Sequence, residues 1–178
     1  MSESSQKHKA TAPTKLNFAL IMCSTSRFTA HKAGSTMKDS SSDLIIETLR
    51  KYDKKLVSRV LVADDKEAIR EAIRDALKNE DVNAVLIVGG TGIAPKDVTI
   101  ETVSPLLEKT LPGFGELFRS LSYDEIGSPA IMSRAVAGVT EGKAIFCIPG
   151  SPNAVKLCLD KLILPETGHI VKHAREDS

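Results

Sequence analysis

The sequence predicts an α/β protein: a doubly wound, mostly parallel sheet with helices on both faces. Three observations predict it. Short, continuous apolar runs recur along the chain, as strands covered on both faces require. A helix-period stripe lies between two of them. Glycine-rich turns follow directly on two of the runs, where a strand hands over to a helix.

The elements follow in order. Asn17–Cys23, "NFALIMC", reads as a buried strand. Ser24 to Asp43 is rich in Ser, Thr and Gly without periodicity and is predicted to be a long loop, functional or mobile. Leu44, Ile45, Leu49 and Tyr52 form a helical stripe, and Lys55–Ala63 is a second strand rich in β-branched residues. Asp64–Asn79 is the clearest helix, with Ile69, Ala72, Ile73, Ala76 and Leu77 on one face. Asp64 and Glu67 are spaced as a capping box. Val82–Val88, "VNAVLIV", is a third strand.

Beyond the glycines, Thr99 or Asp97 is expected to cap a helix reaching Leu107 and bent or ended near Pro105. Gly113–Leu121 is a further helix. Gly127–Arg134 and Gly150–Ile163 open alike, each with Gly, then Ser as cap, then Pro at the first helical position. Lys143–Ile148 is a buried strand running into the second of these.

Composition bounds the function. The chain has 178 residues, 42% apolar and 26% charged, enough for one domain with a proper core. Residues 1–15 are expected to be a disordered arm and residues 16–178 the single α/β domain. Aromatics are 4%, with no Trp, and the formal net charge is +1. Neither a stacking groove nor a strong basic field for nucleic acid is expected. No apolar run approaches the ~20 residues that span a bilayer, and the polar start lacks a secretory core, so a cytoplasmic location is expected. Cys23, Cys147 and Cys158 have no zinc spacing and read as buried thiols.

In open α/β sheets, ligands bind beyond the carboxyl ends of the strands. Four features fall there: the Ser24 loop, Asp64 with Asp65, Gly89-Gly90-Thr91-Gly92, and Pro149-Gly150-Ser151-Pro152. Two are glycine turns entering helices, which offer backbone N–H groups to phosphate. Asp64 and Asp97 supply carboxylates suited to magnesium, with Asp65 a lesser candidate. Neither the P-loop pattern nor GxGxxG is satisfied, because Ala94 and Pro95 stand where those motifs need glycine. Residue spacing therefore leads to an anion-binding α/β protein and no further.

Four ordered blocks carry a resemblance. "GGTGIAPKDVTIE" (Gly89–Glu101), "LPGFGELFR" (Leu111–Arg119), "IMSRAVAG" (Ile131–Gly138) and "IPGSPNAV" (Ile148–Val155) resemble the MoaB/Mog family of molybdopterin-binding proteins. The similarity runs from about Leu16 to Leu164. It implies a three-layer α/β fold, a homotrimer or hexamer, a molybdenum insertase as downstream partner, and a role in molybdenum or tungsten cofactor synthesis. Active members of the family join AMP from ATP to molybdopterin with magnesium and release pyrophosphate. Others are thought to bind the pterin without turnover, so a binding or delivery module is the alternative. An oligomeric scaffold is a third reading.

Carried over residue by residue, the resemblance implies Asp64 and Asp97 as catalytic magnesium ligands. It implies Gly89, Gly90, Thr91, Gly92, Lys96, Glu116, Ser133, Arg134, Pro149, Gly150 and Ser151 as substrate-binding residues. Lys96 or Arg134 could face phosphate oxygens. The sequence departs from the family at Val88, where Thr or Ser is common, at Lys96, where Arg is common, and at Ser42, where Gly often stands. Plainer readings stand beside these. Asp64 and Asp97 also suit helix caps, and Ser151 is a helix start before it is a contact. Glu116 also suits a first-turn acid near a helix N-terminus. His169 and His173 have the spacing of a metal pair, but with no third ligand in view they read as a solvated last helix.

Overall fold

The computed structural model describes residues 12–35 and 37–176. The strands are β1 (Asn17–Cys23), β2 (Lys55–Val62), β3 (Ala84–Val88), β4 (Lys109–Thr110), β5 (Val136–Thr140) and β6 (Lys143–Ile148). They form one sheet in the order β2-β1-β3-β6-β5-β4. The first four in that order run parallel, whereas β5 is antiparallel to β6 and β4 to β5. Successive strand residues point to opposite faces, and two cores result. Phe18, Leu20, Met22, Leu86, Val88, Phe146 and Ile148 face one way, onto Ile45, Leu49, Phe118, Val155 and Val171. Ala19, Ile21, Val85, Ile87, Ile145 and Cys147 face the other way, onto Ile69, Ile73 and Val103.

The described residues form seven α-helices: α1 (Thr25–Lys32), α2 (Ser40–Lys51), α3 (Lys66–Lys78), α4 (Thr99–Val103), α5 (Pro112–Ile126), α6 (Pro152–Cys158) and α7 (Leu164–Ala174). Helices α2, α5, α6 and α7 cover one face, and α3 and α4 the other. This is the three-layer α/β fold that the sequence predicts. The chain leaves β1 for β2 on one side and then places β3 on the other side of β1, so a crevice opens beyond the carboxyl ends of β1 and β3. No helix among the described residues is long and apolar enough to cross a membrane.

Several predicted details are corrected. The expected loop after Cys23 contains α1, capped by Ser24. None of its residues is buried, so it leaves no apolar stripe to read. The cap of α3 is Asp65, whose side chain accepts from the Ala68 N–H at 2.9 Å, and not Asp64. Helix α4 begins at Thr99 with no side-chain cap, and Pro105 falls in the 3-10 turn that follows it. Gly127, not Ser128, holds the cap position of a 3-10 turn over Ser128–Met132. Strands β4 and β5 have no counterpart among the predicted elements: they are short, antiparallel and at the sheet edge. The last helix is not simply solvated, since Thr167 and Val171 are buried.

Residues 1–11 of the expected arm lie outside the described residues. Thr14 accepts a hydrogen bond from Lys54 Nζ at 2.6 Å. All three cysteines are buried and free.

Candidate active site

A cleft of about 620 Å³ lies at the switch point, lined from the ends of β1, β3 and β6. Its floor is main chain. Gly89 has φ +101°, and a Cβ there would stand 2.3 Å from the Cys23 carbonyl oxygen. Gly90 has φ +61°, and a Cβ there would stand 2.3 Å from Thr99 Oγ1 and 2.7 Å from Asp64 Oδ1. Only glycine permits this close approach. The Gly89 N–H continues the β3–β6 ladder to the Ile148 carbonyl at 3.0 Å, so it is not offered to a ligand.

Both aspartates pack on this turn, Asp97 as part of the cleft lining and Asp64 outside it. Asp64, at the end of β2, is held by Thr25: its Oδ2 accepts from the Thr25 N–H at 2.8 Å and from Thr25 Oγ1 at 2.9 Å. Its other oxygen, Oδ1, is the one that reaches Gly90. Asp97 Oδ2 accepts from the Ala94 N–H at 2.9 Å and lies 2.6 Å from the Cβ position of Gly92. The carboxylates thus stand over glycines two residues apart, whose Cα atoms are within about 7.6 Å of each other.

Arg134 lines the cleft and is also held by the turn itself. Its Nε donates to the Thr91 carbonyl at 2.9 Å and one terminal nitrogen to the Gly92 carbonyl at 2.7 Å. The other terminal nitrogen donates to Glu101 at 2.6 Å. The guanidinium therefore clamps the glycine turn and ties it to α4, although Arg134 also lines the cleft. This hydrogen bond holds the Glu101 carboxyl below its ordinary value of 4.5.

Of the other predicted residues, Gly89, Gly90, Thr91, Gly92, Ser133, Pro149 and Gly150 line the cleft with Asp97. Lys96 and Glu116 are exposed and outside its lining, Glu116 on α5. Ser151 is also outside it, and its hydroxyl caps α6 by accepting from the Ala154 N–H at 3.4 Å.

Sequence reasoning left the first segment unassigned, and the structure makes it a wall. Ser24, Ser26, Arg27 and Met37 line the cleft. Arg27 pairs with Asp39 at 3.2 Å, and Asp39 caps α2. Ser41 Oγ donates to the Gly150 carbonyl at 2.7 Å. The signal for these was the cap spacing, Ser24 before Arg27 and Asp39 before Ser42, but without an apolar stripe it did not stand out.

Two buried hydroxyls, Ser42 Oγ and Thr99 Oγ1, have no hydrogen-bond partner of good geometry among the described residues. Thr99 neighbours Cys23. Burial pushes the Cys23 thiol up to about 12, with the Thr99 hydroxyl pulling it down and the Asp64 charge pushing it further up. Burial raises the Cys147 thiol as well. Such thiols remain protonated and are not nucleophiles.

The model of the "Probable molybdopterin binding domain" family matches residues 19–169. Molybdenum cofactor biosynthesis protein B of Bacillus subtilis is 45% identical over 97% of this chain and 98% of its own length. The chain belongs to the MoaB/Mog family of molybdenum cofactor biosynthesis proteins. Solved structures agree. A crystal structure of molybdenum cofactor biosynthesis protein B superimposes with a TM-score of 0.83 at 43% identity, covering 93% of this chain and 99% of that one. The tungsten cofactor synthesizing protein MoaB from Pyrococcus furiosus gives a TM-score of 0.80 at 39% identity, covering 92% and 99%. The MoaB/Mog fold therefore extends over nearly all of the described chain.

Proposed function

We propose that this MoaB/Mog protein acts in molybdenum or tungsten cofactor biosynthesis by adenylylating molybdopterin with ATP, using magnesium. A terminal phosphate oxygen of the pterin attacks the α-phosphorus of ATP. A P–O bond forms there, the bond to the bridging oxygen breaks, and pyrophosphate leaves with that electron pair. The nucleophile is already an anion, so no strong general base is required. The difficulty is charge: two unit charges 4 Å apart repel by about 4 kcal/mol at an effective dielectric near 20. Catalysis is then mainly alignment and neutralisation.

The observation that carries this reading is one glycine turn with two carboxylates packed on it, Asp97 in the lining of the switch-point cleft and Asp64 against Gly90 just outside that lining. The donor set fits magnesium. Among the described residues no group of three or more His, Cys, Asp or Glu can hold a metal. One or two carboxylates, completed by phosphate and water, is the usual magnesium site. Asp64 and Asp97 would hold the ion, which would supply neutralisation of the phosphate charge. Thr25 fixes Asp64, and Ala94 fixes Asp97. Arg134 keeps the Thr91–Gly92 carbonyls turned away from the incoming anions, and Arg27 adds positive charge to the wall. Lys96 would approach phosphate only from the rim.

The assembly we propose is a homotrimer or hexamer. Leu117, Tyr123, Ile126, Ile131 and Met132 on α5 and the turn that follows are large apolar side chains left exposed, the kind a second copy would cover. Glu116 shares that helix, so a contact between Glu116 and the pterin would be made across the subunit boundary. The adenylylated pterin would pass to a molybdenum insertase, and the location would be cytoplasmic. One observation favours the second reading, a module that holds molybdopterin without turnover: Val88, fully buried, puts no hydroxyl beneath the glycines.

Transfer of AMP from labelled ATP to molybdopterin separates the two. Wild type should transfer in the presence of Mg²⁺, and Asp97→Ala should lower the rate at least about a hundredfold while leaving pterin binding measurable. Tight pterin binding without transfer by wild type rejects the enzyme and leaves the module. Neither activity leaves the scaffold.

A further inference from the structure

We infer that the groove between α1 and β2 binds the β- and γ-phosphates of ATP, so that pyrophosphate leaves the cleft towards β2 while the pterin enters from the β5 side. That the bound diphosphate belongs to ATP rests on the adenylyl-transfer reading. The groove has a volume of about 610 Å³ and joins the cleft at Arg27, which lines both. Its walls come from one helix face and one strand. Arg27 with His31, and Phe28 with Lys32, are four residues apart on α1 and so stand on one side of it. Arg59 projects from β2, the edge strand of the sheet.

Charge decides what the groove takes. Its lining carries the cations Arg27, Lys32 and Arg59 and a single carboxylate, Asp39. Asp39 is shared: Oδ1 lies 3.2 Å from Arg27 and Oδ2 lies 3.5 Å from Arg59, while Oδ1 also accepts the Ser42 N–H at 3.2 Å. One carboxylate therefore draws two guanidinium groups together and cannot neutralise both. Lys32 Nζ lies 4.6 Å from the centroid of the Phe28 ring, a contact that holds the ammonium in place without cancelling its charge. Guanidinium and ammonium groups gathered about one acid suit a phosphate chain, since arginine meets phosphate oxygens in pairs. A diphosphate carries more charge than the single phosphate of the pterin, so it is the better match.

The opposite wall of the cleft lacks that surplus. Strand order puts β1 and β2 on one side of β3, and β6 and β5 on the other. On the β5 side the cleft is lined by Pro129, Met132, Ser133 and Arg134. Arg134 is occupied there by the Thr91 and Gly92 carbonyls and by Glu101. Phosphoryl transfer needs the attacking and leaving oxygens roughly in line, on opposite sides of the phosphorus. With the α-phosphate over the glycine turn, the cation-rich side receives the leaving group. Its charge stabilises the electron pair that pyrophosphate carries away from the broken P–O bond. The side without a surplus is left to the pterin.

Calorimetric titration of the full chain with sodium pyrophosphate, without ATP or pterin, tests the groove. Wild type should bind it. Arg59→Gln and Lys32→Gln should each weaken binding about fivefold or more, and the two together at least about twentyfold. Lys55→Gln should leave it unchanged, because position 55 lies about 13 Å along β2 from Arg59, beyond the ~8 Å screening length at physiological salt. No pyrophosphate binding by wild type, unchanged affinity in the double variant, or equal weakening by Lys55→Gln would overturn the proposal. So would a double variant that loses molybdopterin instead of pyrophosphate. If the double variant does not fold, the Lys32→Gln titration decides in its place. The titration involves no turnover, so its failure is distinct from failure of the enzyme reading. Wild type that transfers no AMP, yet binds pyrophosphate through Arg59 and Lys32, keeps the groove as a diphosphate site and removes its attribution to ATP.

Discussion

Two strand ends meet in the cleft with similar sequences and different construction. After β6, Pro149-Gly150-Ser151-Pro152 enters α6 at once, with Ser151 as cap and Pro152 in the first turn. After β3, the chain runs from Gly89 to Val98 before α4 begins, and α4 has no side-chain cap. The first turn is closed by its own residues and by Ser41 on the Gly150 carbonyl. The second is held from outside, by Arg134 on two of its carbonyls and by Asp64 and Thr99 packed on Gly90. A short turn stabilises itself through capping. A long one needs partners from distant sequence, and those partners are where chemistry can be attached.

The largest test of that contrast is steric. Gly90→Ala should destabilise the fold by about 1–3 kcal/mol, because a positive φ and two close side-chain oxygens both oppose a Cβ. Gly150→Ala meets only the Gly89 Cα at 3.3 Å, with no left-handed φ, and should cost under about 1 kcal/mol. Urea unfolding of the two variants compares them directly, and equal losses would dissolve the contrast. Removing the self-made closure comes next. Ser151→Ala should cost about 0.5–1 kcal/mol, at the low end for a cap because the bond is long, and should leave cleft chemistry intact.

The smallest effect concerns the tether and has a sign in pH. The Glu101 carboxyl titrates below 4.5 in the fold, so the stability it contributes is complete above that value. It disappears as acid carries the pH down through the lowered folded value. The pair is partly exposed, so the contribution should be under about 1 kcal/mol. Glu101→Gln should flatten that part of the acid-unfolding curve, followed by circular dichroism, and leave stability near neutrality almost unchanged. A wild-type slope in the variant would show that the clamp does not depend on this charge.

Much of the fold is legible in the sequence because buried parallel strands are continuous apolar runs. Asn17–Cys23 and Lys143–Ile148 match the observed strands end to end. Strand β5, "VAGVT", is short and interrupted by Gly138, and β4 is two exposed residues, so neither has a periodic signature. Helix α1 escapes for the same reason. In the site, the glycines and Asp97 announce themselves by local pattern. Asp64 and Asp65 are adjacent acids that spacing cannot tell apart, and only the contacts separate them: Asp65 caps α3, whereas Asp64 is held by Thr25 against the glycine turn. The Arg134 clamp is silent in sequence because its acceptors are main-chain carbonyls, which no side-chain pattern marks.

Gly89 is flanked by bare backbone: the Cys23 carbonyl stands where its Cβ would be, and its own α-carbon stands 3.3 Å from the Cβ position of Gly150. Three strands are in effect joined at their tips with no side chain in the joint. Redesign of this rim for another substrate has no foothold at its root. New specificity would have to be written at the outer tip, around Ile93 and Lys96, where side chains stand in open solvent.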